Sequence, residues 1–468
     1  MDMIRTKAKT KTQSSALAAL AGATLLGSFG ISGTSVALPA LARDFAAPVS
    51  AVQWVVLAYL VTVTVVVVAA GRAGDLFGHR RVLAAGLVLF ALASVVCAAA
   101  PTLAMLITAR AIQGIGGAVL MALPVSLARA TVASKRTGAA MGLLGTASAV
   151  GTALGPSLGG LLIAALGWRA PFAAMAVLGL LLIAAARPAI PPSAPPVRGP
   201  GSRLDWPGIA LLAVALTLYA LATTGAAPTA ISMPGLLLPA AAIALLLFLV
   251  VEARSAAPLL PVSVLRDRAT GSALAMNVLV AAVMMSTLVV GPFFLSLGLG
   301  MDDALVGLVM AVGPVTAALS GVLAGRATDR FGPRRVLAAG LVQIVIGLVG
   351  LALLPLALGV FGYVAALVVL TPGFQMFLAA NSTAVMAAAA TEQRGVLSGL
   401  LGLSRYLGFM TGASVIATLF AAAAGPGLAV DTAPEVIVEA FTTTFLLAAG
   451  LAVLALVMAL LDTWAARR

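Results

Sequence analysis

Long apolar runs alternate with short polar or glycine- and proline-containing breaks from residue 16 to residue 462. An α-helix needs about 20 residues to cross the hydrocarbon layer of a bilayer. The first run follows three lysines, as in a signal peptide, but the many later runs favour a retained first helix. The pattern predicts fourteen membrane-spanning helices, at residues 16–40, 52–70, 82–100, 103–127, 138–165, 170–187, 206–226, 234–252, 270–298, 303–324, 335–356, 358–385, 394–420 and 437–462.

The composition agrees with lipid as the solvent of this chain. Hydrophobic residues make up 62% of the 468 residues and charged residues 9%, and the mean hydropathy is +1.16. Soluble domains average roughly 45–50% apolar and about 25% charged residues. A single cysteine, Cys97, excludes an internal disulfide, and one histidine without Cys/His clusters argues against a structural metal site.

The positive charges predict the orientation of these helices. Arg43 and Arg169 fall in outer loops, Arg110 and Arg405 fall within spans, and the other 23 of the 27 Lys and Arg residues fall in inner segments. This asymmetry follows the positive-inside rule and places both termini in the cytoplasm. The net charge of +13 therefore reflects orientation rather than nucleic-acid binding, because the basic residues are scattered between apolar runs.

An internal repeat relates the two ends of the chain. "GRAGDLFGHRRVLAAGLV" at 71–88 aligns without a gap on "GRATDRFGPRRVLAAGLV" at 325–342, and each copy joins one predicted span to the next on the inner side. A repeat of a whole bundle, six helices twice, is the architecture of major facilitator transporters. We therefore predict an all-α integral membrane protein of the major facilitator fold, with fourteen spans. Its parts are an N-terminal six-helix bundle at 1–187, a Pro-rich cytoplasmic linker at 188–205, two additional helices at 206–252, a cytoplasmic linker at 253–269 and a C-terminal six-helix bundle at 270–468.

Further motifs follow one another in order along nearly the whole chain. They are "VALPALARDF" at 36–45, "QWVVLAYLV" at 53–61, "ARAIQGIGGA" at 109–118, "GTALGPSLGG" at 151–160, "LDWPG" at 204–208 and "GVLSGLLGLSRYLG" at 395–408. Together they resemble the fourteen-span drug:proton antiporters of the major facilitator superfamily. The resemblance implies a monomeric exporter of small, usually hydrophobic molecules in the cytoplasmic membrane. Its expected partners are the substrate, protons and lipid, and it needs no cofactor beyond the proton gradient.

Charged residues of the repeated loop predict a gate. Asp75, at the inner end of the second span, can pair with Arg72 or Arg129, or meet the positive N-terminus of a neighbouring helix. Such a cluster can latch one of two arrangements of the halves. The second copy carries Asp329 and Arg330 at the corresponding place. The alternative is that these arginines only fix topology and bind anionic headgroups.

Arg110 is a charge within the fourth span, with Gln113 three residues on and on nearly the same helical face. A charge at this depth costs a few kcal/mol, so it usually faces the bundle interior or water. The resemblance assigns Arg110 to the tuning of proton transfer. A structural arginine bonded to backbone carbonyls is the alternative. Because no acidic residue occupies the middle of a span, Asp44 is the first candidate for the proton carrier.

Glycines recur every four residues in the fifth span, at Gly151, Gly155 and Gly159. Small residues on one face let another helix approach closely, and Pro156 removes a backbone hydrogen bond. With Gly160, this stretch matches the antiporter motif of the resembled family. A generic small-residue packing face is the alternative.

The cargo is predicted from what the spans lack. Gly30 occupies a position where the resembled family commonly carries an aspartate, so a multiply charged cation would meet no buried carboxylate. Neutral, zwitterionic or anionic cargo fits better, held by aromatic and Met surfaces with a few polar anchors. Ordinary helix packing explains each candidate equally well. The candidates are Trp54, Tyr59, Gln113, Asn277, Met284, Met285, Phe293, Phe294, Gln343, Gln375, Asn381 and Arg405.

Other functional classes fit less well. A membrane enzyme requires convergent catalytic residues, and the spans offer no His, no Cys pair and no mid-membrane acid. The repeat and the gating loops disfavour a channel. Proton-coupled uptake of a small organic solute by the same fold remains the alternative, because the arguments for export rest on resemblance.

Overall fold

The computed structural model describes residues 2–132, 137–189, 204–224, 234–255, 267–388, 394–425 and 433–465, and these residues are almost entirely helical. Two π-helical turns, at Phe294–Gly298 and Gly412–Ile416, follow α11 and α14 as numbered here. The helices are α1 (Asp2–Ser35), α2 (Leu38–Asp44), α3 (Val49–Val52), α4 (Trp54–Phe77), α5 (His79–Ala98), α6 (Leu103–Thr131), α7 (Thr137–Leu166), α8 (Ala170–Ala189), α9 (Trp206–Thr224), α10 (Leu237–Arg254), α11 (Arg268–Phe293), α12 (Asp303–Phe331), α13 (Pro333–Ala388), α14 (Arg394–Thr411), α15 (Ala417–Ala423) and α16 (Pro434–Ala465).

Twelve helical segments of the described residues are long and apolar enough to cross a membrane. The predicted count of fourteen spans is therefore not confirmed by length and hydropathy. Two places account for the difference. The apolar stretch of α8, Ala170–Ala186, falls short of the about 20 residues that a span needs. The predicted spans at 335–356 and 358–385 fall in one helical stretch, α13, which is interrupted at Gly359 and is counted as one segment.

Helix α13 is folded back on itself at Gly359. This glycine has φ 54° and ψ −131°, a conformation that L side chains rarely adopt. The Nε2 of Gln343 donates a hydrogen bond to the carbonyl of Val369 at 3.0 Å, although 26 residues separate them. On a straight helix rising about 1.5 Å per residue, the two would lie roughly 39 Å apart. The first arm, residues 333–358, and the second arm, residues 360–388, are therefore antiparallel.

The sequence repeat is reproduced in the backbone. Gly78 and Gly332, at equivalent positions of the two copies, have φ values of 91° and 82°. The Gly78 amide donates to the Gly74 carbonyl at 2.9 Å, and the Gly332 amide donates to the Thr328 carbonyl at 3.0 Å. Both turns thus end one helix and start the next with the same hydrogen bond, as expected of two copies of one structural unit.

The helices after these turns also pack in the same way. A Cβ added to Gly116 of α6 would lie 2.8 Å from the Gly86 carbonyl oxygen, and one added to Gly373 would lie 2.9 Å from the Gly340 carbonyl oxygen. Gly86 and Gly340 are equivalent positions of the repeat. The second arm of α13 therefore occupies in the C-terminal half the place that α6 occupies in the N-terminal half.

Two faces of the bundle are needed to describe the site. The Asp44 face contains the end of α2 and the start of α12. An ion pair between Arg43 and Asp303 joins these two helix ends. The repeat-loop face contains Gly78 and Gly332, at the opposite ends of α4 and α12. Helices α1–α8 form the N-terminal half and α11–α16 the C-terminal half, and α7 packs along α12 between them.

The helices α9 and α10 pack against each other, and α9 also contacts α4. Helix α9 begins where Asp205 accepts a hydrogen bond from the Gly208 amide at 2.9 Å, which is the usual action of an N-cap carboxylate. Gly208 lies against Glu252 of α10, and a Cβ there would lie 2.6 Å from Glu252 Oε1. The missing side chain thus lets the two helices approach closely.

Candidate transport cavity and gates

A cavity of about 480 Å³ lies between the two halves. Three helices of the N-terminal half and four of the C-terminal half contribute to its walls, which are mostly apolar. Among the described residues, no group of three or more His, Cys, Asp or Glu side chains could hold a metal ion. The residues that line the cavity are Thr24, Ser28, Ile31, Met121, Val125, Leu144, Gly145, Ser148, Thr152, Met284, Thr287, Leu288, Met310, Gly313, Pro314, Ala317, Tyr363, Leu367, Leu370, Thr371, Phe374, Gln375, Leu378, Arg405, Tyr406 and Phe409.

Weak polar contacts interrupt the apolar lining. Ser28 of α1 and Ser148 of α7 share a hydrogen bond of 2.8 Å between their hydroxyl oxygens. Tyr406 donates its hydroxyl proton to the sulfur of Met121 at 2.9 Å, across the boundary between the halves. Gln375 donates to the carbonyl of Ala317 at 3.1 Å. The cavity thus suits an amphipathic organic molecule better than a strongly hydrated one.

Arg405 is the only charged side chain among the described lining residues. Its guanidinium carbon lies 5.5 Å from the centre of the Tyr406 ring. Its Nε is buried, and no described residue accepts a hydrogen bond from it. The described lining residues therefore include a cation and no carboxylate.

The Asp44 face closes the cavity. One terminal nitrogen of Arg43 lies 2.8 Å and 3.0 Å from the two carboxylate oxygens of Asp303. On the cavity side of this pair, the backbone of Gly160 in α7 meets that of Gly307 in α12, and a Cβ on Gly160 would lie 2.5 Å from the Gly307 Cα. The two halves are thus held together at this face by an ion pair and a close helix crossing.

The glycines of α7 pack against two different helices, α1 and α12. A Cβ on Gly151 or Gly155 would clash with α1, at the Leu25 backbone and at Ser32 respectively. Gly159 faces the backbone of Gly33, which also belongs to α1. Gly160, together with the carbonyl of the helix-interior Pro156, instead faces α12 across the boundary. The predicted stripe of Gly151, Gly155 and Gly159 therefore packs α7 against α1 within its own half, and the adjacent Gly160 makes the contact between halves.

Arg110 is completely buried within the N-terminal half, away from the cavity lining. Its Nε donates to the Val55 carbonyl at 2.9 Å, one terminal nitrogen to the Gly30 carbonyl at 2.9 Å, and the other to the side-chain oxygen of Gln113. The centre of the Tyr59 ring lies 4.3 Å from the guanidinium carbon of Arg110, which stacks over the face of the ring. Among the alternatives that the sequence leaves open, this arrangement matches an arginine bonded to backbone carbonyls.

Gln113, which accepts a hydrogen bond from Arg110, makes further contacts of its own. Its amide nitrogen donates to the hydroxyl of Ser94 in α5 at 2.6 Å and to the sulfur of Met175 in α8 at 3.6 Å. Arg110 reaches α1 and α4, so one pair of α6 side chains connects five helices. We refer below to these contacts as the Arg110–Gln113 network.

Asp44 lies on the Asp44 face with a half-exposed side chain. It accepts a hydrogen bond of 2.7 Å from the indole nitrogen of Trp168, and Arg169 lies 3.6 Å from the same carboxylate oxygen. The described hydrogen bonds of Arg110 do not reach Asp44. A proton carried by Asp44 would therefore exchange with the solution at this face.

The predicted gate residues of the repeat-loop face are exposed where the structure describes their side chains. The Asp75 side chain is 70% exposed, and one of its carboxylate oxygens lies 3.3 Å from the Nε2 of His79. Asp329 and Arg330, at the end of α12, are also exposed, and Arg330 lies 5.2 Å from the ring centre of Phe331. Arg129 belongs to α6, but its side chain lies outside the described residues.

Three of the predicted cargo-binding residues line the cavity, namely Met284, Gln375 and Arg405. The others lie outside its lining, and several bond to backbone instead. The Nδ2 of Asn277 donates to the Leu401 carbonyl and to the Ser404 hydroxyl, and Asn381 donates to the Ala273 carbonyl. The remaining residues outside the lining are Trp54, Tyr59, Gln113, Met285, Phe293, Phe294 and Gln343.

Sequence reasoning missed the small hydroxyl residues of the lining, which are Thr24, Ser28, Ser148, Thr152, Thr287 and Thr371. It also missed both lining tyrosines, Tyr363 and Tyr406. Helical periodicity identifies which residues share a face, but all of the lining helices except α14 have little amphipathic character. Only the packing of both halves shows which face meets the cavity.

A second cavity of about 560 Å³ lies between the α9–α10 pair and the rest of the bundle. Its lining is apolar except for four hydroxyl residues, Thr64, Tyr219, Ser404 and Thr411. The Tyr219 hydroxyl donates to Thr411 at 3.3 Å and joins α9 to the end of α14. Helices α11 and α14 contribute residues to the walls of both cavities.

Two repeated helical halves around a central cavity, closed at one face, define a membrane transporter. The model of the Major Facilitator Superfamily matches residues 20–298 and 273–467. This chain belongs to the major facilitator superfamily, and it is a multi-pass membrane transporter.

Named relatives and solved structures agree with this assignment. The multidrug efflux pump LfrA of Mycolicibacterium smegmatis is 30% identical over 87% of this chain and 81% of its own length. The riboflavin transporter RibZ of Clostridioides difficile is 26% identical over 83% of this chain and 84% of its own length. The crystal structure of a bacterial homolog of the human lysosomal transporter Spinster superposes with a TM-score of 0.69 at 16% identity, covering 96% of each chain. This last likeness concerns the fold alone.

Proposed function

We propose that this protein exports small amphipathic molecules across the bacterial cytoplasmic membrane in exchange for protons. The observation that carries the proposal is the central cavity, which is mostly apolar, contains few polar anchors and is closed at the Asp44 face. The similarity to the multidrug efflux pump LfrA supports export. Transport follows when closure alternates between the two faces, so that the cavity opens to one side at a time.

The proposal includes fourteen spans, with the repeat-loop face in the cytoplasm. The break at Gly359 and the antiparallel arms of α13 support two spans in that helix. Helix α8 packs along α5, as expected of a sixth member of the N-terminal bundle. With the α9–α10 pair, this gives six, two and six spans. The proposed domains remain those predicted, with the linkers at 188–205 and 253–269.

Reporter fusions test this topology. A fusion after Arg136 or Arg335 should report a cytoplasmic location, and a fusion between residues 298 and 303 should report an external one. The inner segments hold most of the Lys and Arg residues, which supports this orientation. A reversed signal at any of the three sites would contradict the span count or the orientation.

Gating is assigned to both faces in this proposal. In the described state, Arg43 with Asp303 and Gly160 with Gly307 hold the Asp44 face closed. Asp75 and Asp329 are exposed at the repeat-loop face and are available to form a latch with the other half when that face closes. Arg72, Arg129 and Arg330 are the proposed basic partners of that latch.

Proton coupling is proposed to use Asp44, which lies at the Asp44 face with Arg169 and Trp168. A carboxylate at this face can take up a proton from outside when the cavity opens there. Arg110 keeps its charge at any relevant pH and cannot itself carry the proton. In this proposal its part is to hold the helices of the N-terminal half in a fixed arrangement.

Everted membrane vesicles test the function. Respiration acidifies their lumen, and a pH-sensitive dye follows the lumenal pH while cationic, neutral and anionic amphiphiles are added. Exchange of cargo for protons should make the lumen more alkaline only in vesicles that contain the transporter. The similarity to the riboflavin transporter RibZ leaves uptake as the alternative. A symporter would not release lumenal protons when cargo is added from the cytoplasmic side, so this result would reject export.

A further inference from the structure

Arg405 is the starting point, because this partly buried arginine differs in its contacts from the fully buried Arg110. Arg110 has an acceptor for each of its three nitrogens within its own half. Arg405 lines the central cavity, and its buried Nε has no acceptor among the described residues. All three Arg110 nitrogens are therefore engaged within its own half, whereas the buried Nε of Arg405 is left for a group in the cavity.

Arg405 has no counter-charge among the described residues of the cavity lining. The described lining of the cavity contains no carboxylate, and the nearest aromatic contact is the Tyr406 ring at 5.5 Å. A guanidinium remains ionised at every relevant pH. A charge that is partly removed from water is destabilised unless an anion or strong hydrogen-bond acceptors approach it. The cavity is therefore electrostatically complementary to a negative group.

The rest of the lining indicates what that negative group belongs to. Phe374, Phe409 and Met284 line the same cavity and provide aromatic and thioether surface. The hydroxyls of Ser28 and Ser148, on the opposite half, supply neutral hydrogen-bonding groups. A flat apolar body with one acidic substituent would use all of these surfaces together.

We propose that the central cavity binds amphipathic organic anions, and that Arg405 binds their carboxylate, sulfonate or phenolate group. The anion accepts charge-assisted hydrogen bonds from the Arg405 guanidinium, while its aromatic body packs against the cavity wall. The inference rests on the proposed function for its biological meaning, because it names the class of cargo. Binding itself does not require export or proton coupling, so it can be tested separately.

Two dyes of nearly the same shape provide the test. 1-Anilinonaphthalene-8-sulfonate carries a sulfonate, and N-phenyl-1-naphthylamine has the same aromatic skeleton without it. Binding to the purified full-length protein is followed by energy transfer from tryptophan to the dye, with empty micelles as the blank. The wild-type protein should bind the sulfonate at least tenfold more tightly than the neutral dye, after correction for partition into micelles.

Substitution of Arg405 should remove this preference. In Arg405→Gln we expect a tenfold to hundredfold loss of affinity for the sulfonate, as for a lost charge-assisted hydrogen bond. Affinity for the neutral dye should change less than twofold. Arg405→Lys keeps the charge and should retain part of the preference. Arg334→Gln removes an exposed arginine at the start of α13 and serves as the matched control, with wild-type affinities expected.

Two results would overturn the proposal. One is equal binding of the two dyes by the wild-type protein, which is decisive even if Arg405→Gln does not fold. The other is an Arg405→Gln variant that folds and loses affinity for both dyes equally, because this would make Arg405 a determinant of cavity shape. A preference for the sulfonate without proton release in vesicles would keep this inference and reject the proposed export. Proton release together with equal dye binding would do the reverse.

Discussion

Gly160 and Gly307 meet backbone to backbone across the boundary between the two halves. A Cβ on Gly160 would lie 2.5 Å from the Gly307 Cα, and a Cβ on Gly307 would lie 2.6 Å from the Gly160 Cα. No side chain can be accommodated between the two helices at this crossing. The contact lies between the cavity and the Arg43–Asp303 ion pair, and it sets how closely α7 and α12 approach when the Asp44 face is closed.

We predict that Gly160→Val prevents closure of the Asp44 face. The added side chain would overlap the Gly307 backbone, so the halves would have to separate there, and export should fall at least tenfold while the protein stays folded. A cysteine at the cavity-lining Thr287, in a background where Cys97 is replaced by Ala, should then react faster with an impermeant maleimide added outside the cell.

Gly450→Val is the matched control for this prediction, because a Cβ at Gly450 of α16 meets nothing within 4 Å. The control should label and transport like the parent protein. Unchanged labelling of the Thr287 cysteine in Gly160→Val would contradict the assignment of this crossing as the closing contact.

The Arg43–Asp303 ion pair should make a smaller contribution to the same closure. Both side chains are partly exposed, and such pairs are worth about 0–1 kcal/mol. Arg43→Asp or Asp303→Arg should therefore shift the labelling of the Thr287 cysteine by up to about fivefold, toward the open state. The double exchange restores the opposite charges and should return labelling toward the parent value. If the increase in labelling of the double variant equals the summed increases of the two single variants, the pair does not hold the halves together.

The helical architecture could be predicted from sequence because long apolar runs and the repeat determine it directly. The turns at Gly78 and Gly332 lie in the repeated loops that the alignment identified. The Gly160–Gly307 contact could not be predicted, because it depends on how two distant helices cross. The glycine stripe predicted close packing of α7, but its spacing did not show that Gly151 and Gly160 contact different helices.

Asp75→Asn should impair export and leave the fold intact. Its side chain is 70% exposed in the described state, and its described ion pair is with His79, so little packing depends on it. The loss should appear only when the repeat-loop face must close. Export is measured in everted vesicles, with protein amount and monodispersity checked by size-exclusion chromatography.

His79→Gln is the control for Asp75, since it removes the local ion pair but keeps the carboxylate available to the other half. We expect export close to that of the parent. Normal export by a well-expressed Asp75→Asn variant would limit this loop to a topological role.

Arg110→Ala should destabilise the protein. The substitution leaves the buried carbonyls of Val55 and Gly30 and the side chain of Gln113 without their donor, and each buried group left unpaired costs about 1–3 kcal/mol. We expect a lower midpoint of thermal unfolding in detergent, with a smaller loss in Arg110→Lys because one donor group is kept.

The proton requirement of export separates the two roles of Arg110. If the arginine is structural, the Arg110→Lys protein that remains folded should export with the same pH dependence as the parent. The Asp44→Asn variant should instead show a shifted pH dependence of export. An Arg110→Ala variant with parental thermal stability and altered pH dependence would instead assign the residue to coupling.

The cargo-binding residues show where sequence reasoning stops. Arg405 was identified because a charge within an apolar span is conspicuous, and Met284 and Gln375 lie on the cavity wall as well. Tyr59 and Asn277 carry equally suitable side chains, yet they face neighbouring helices within the protein. In helices with little amphipathic character, the direction of a side chain is decided by tertiary packing rather than by local pattern.

The Arg110–Gln113 network has a mechanical consequence. It ties α6 to α1 and α4 through backbone carbonyls, and to α5 and α8 through Ser94 and Met175. Relative sliding of any of these five helices would strip a buried guanidinium or amide of its acceptor. These five helices should accordingly turn as one stiff block, so that conformational change is concentrated at the boundary between the halves rather than within the block.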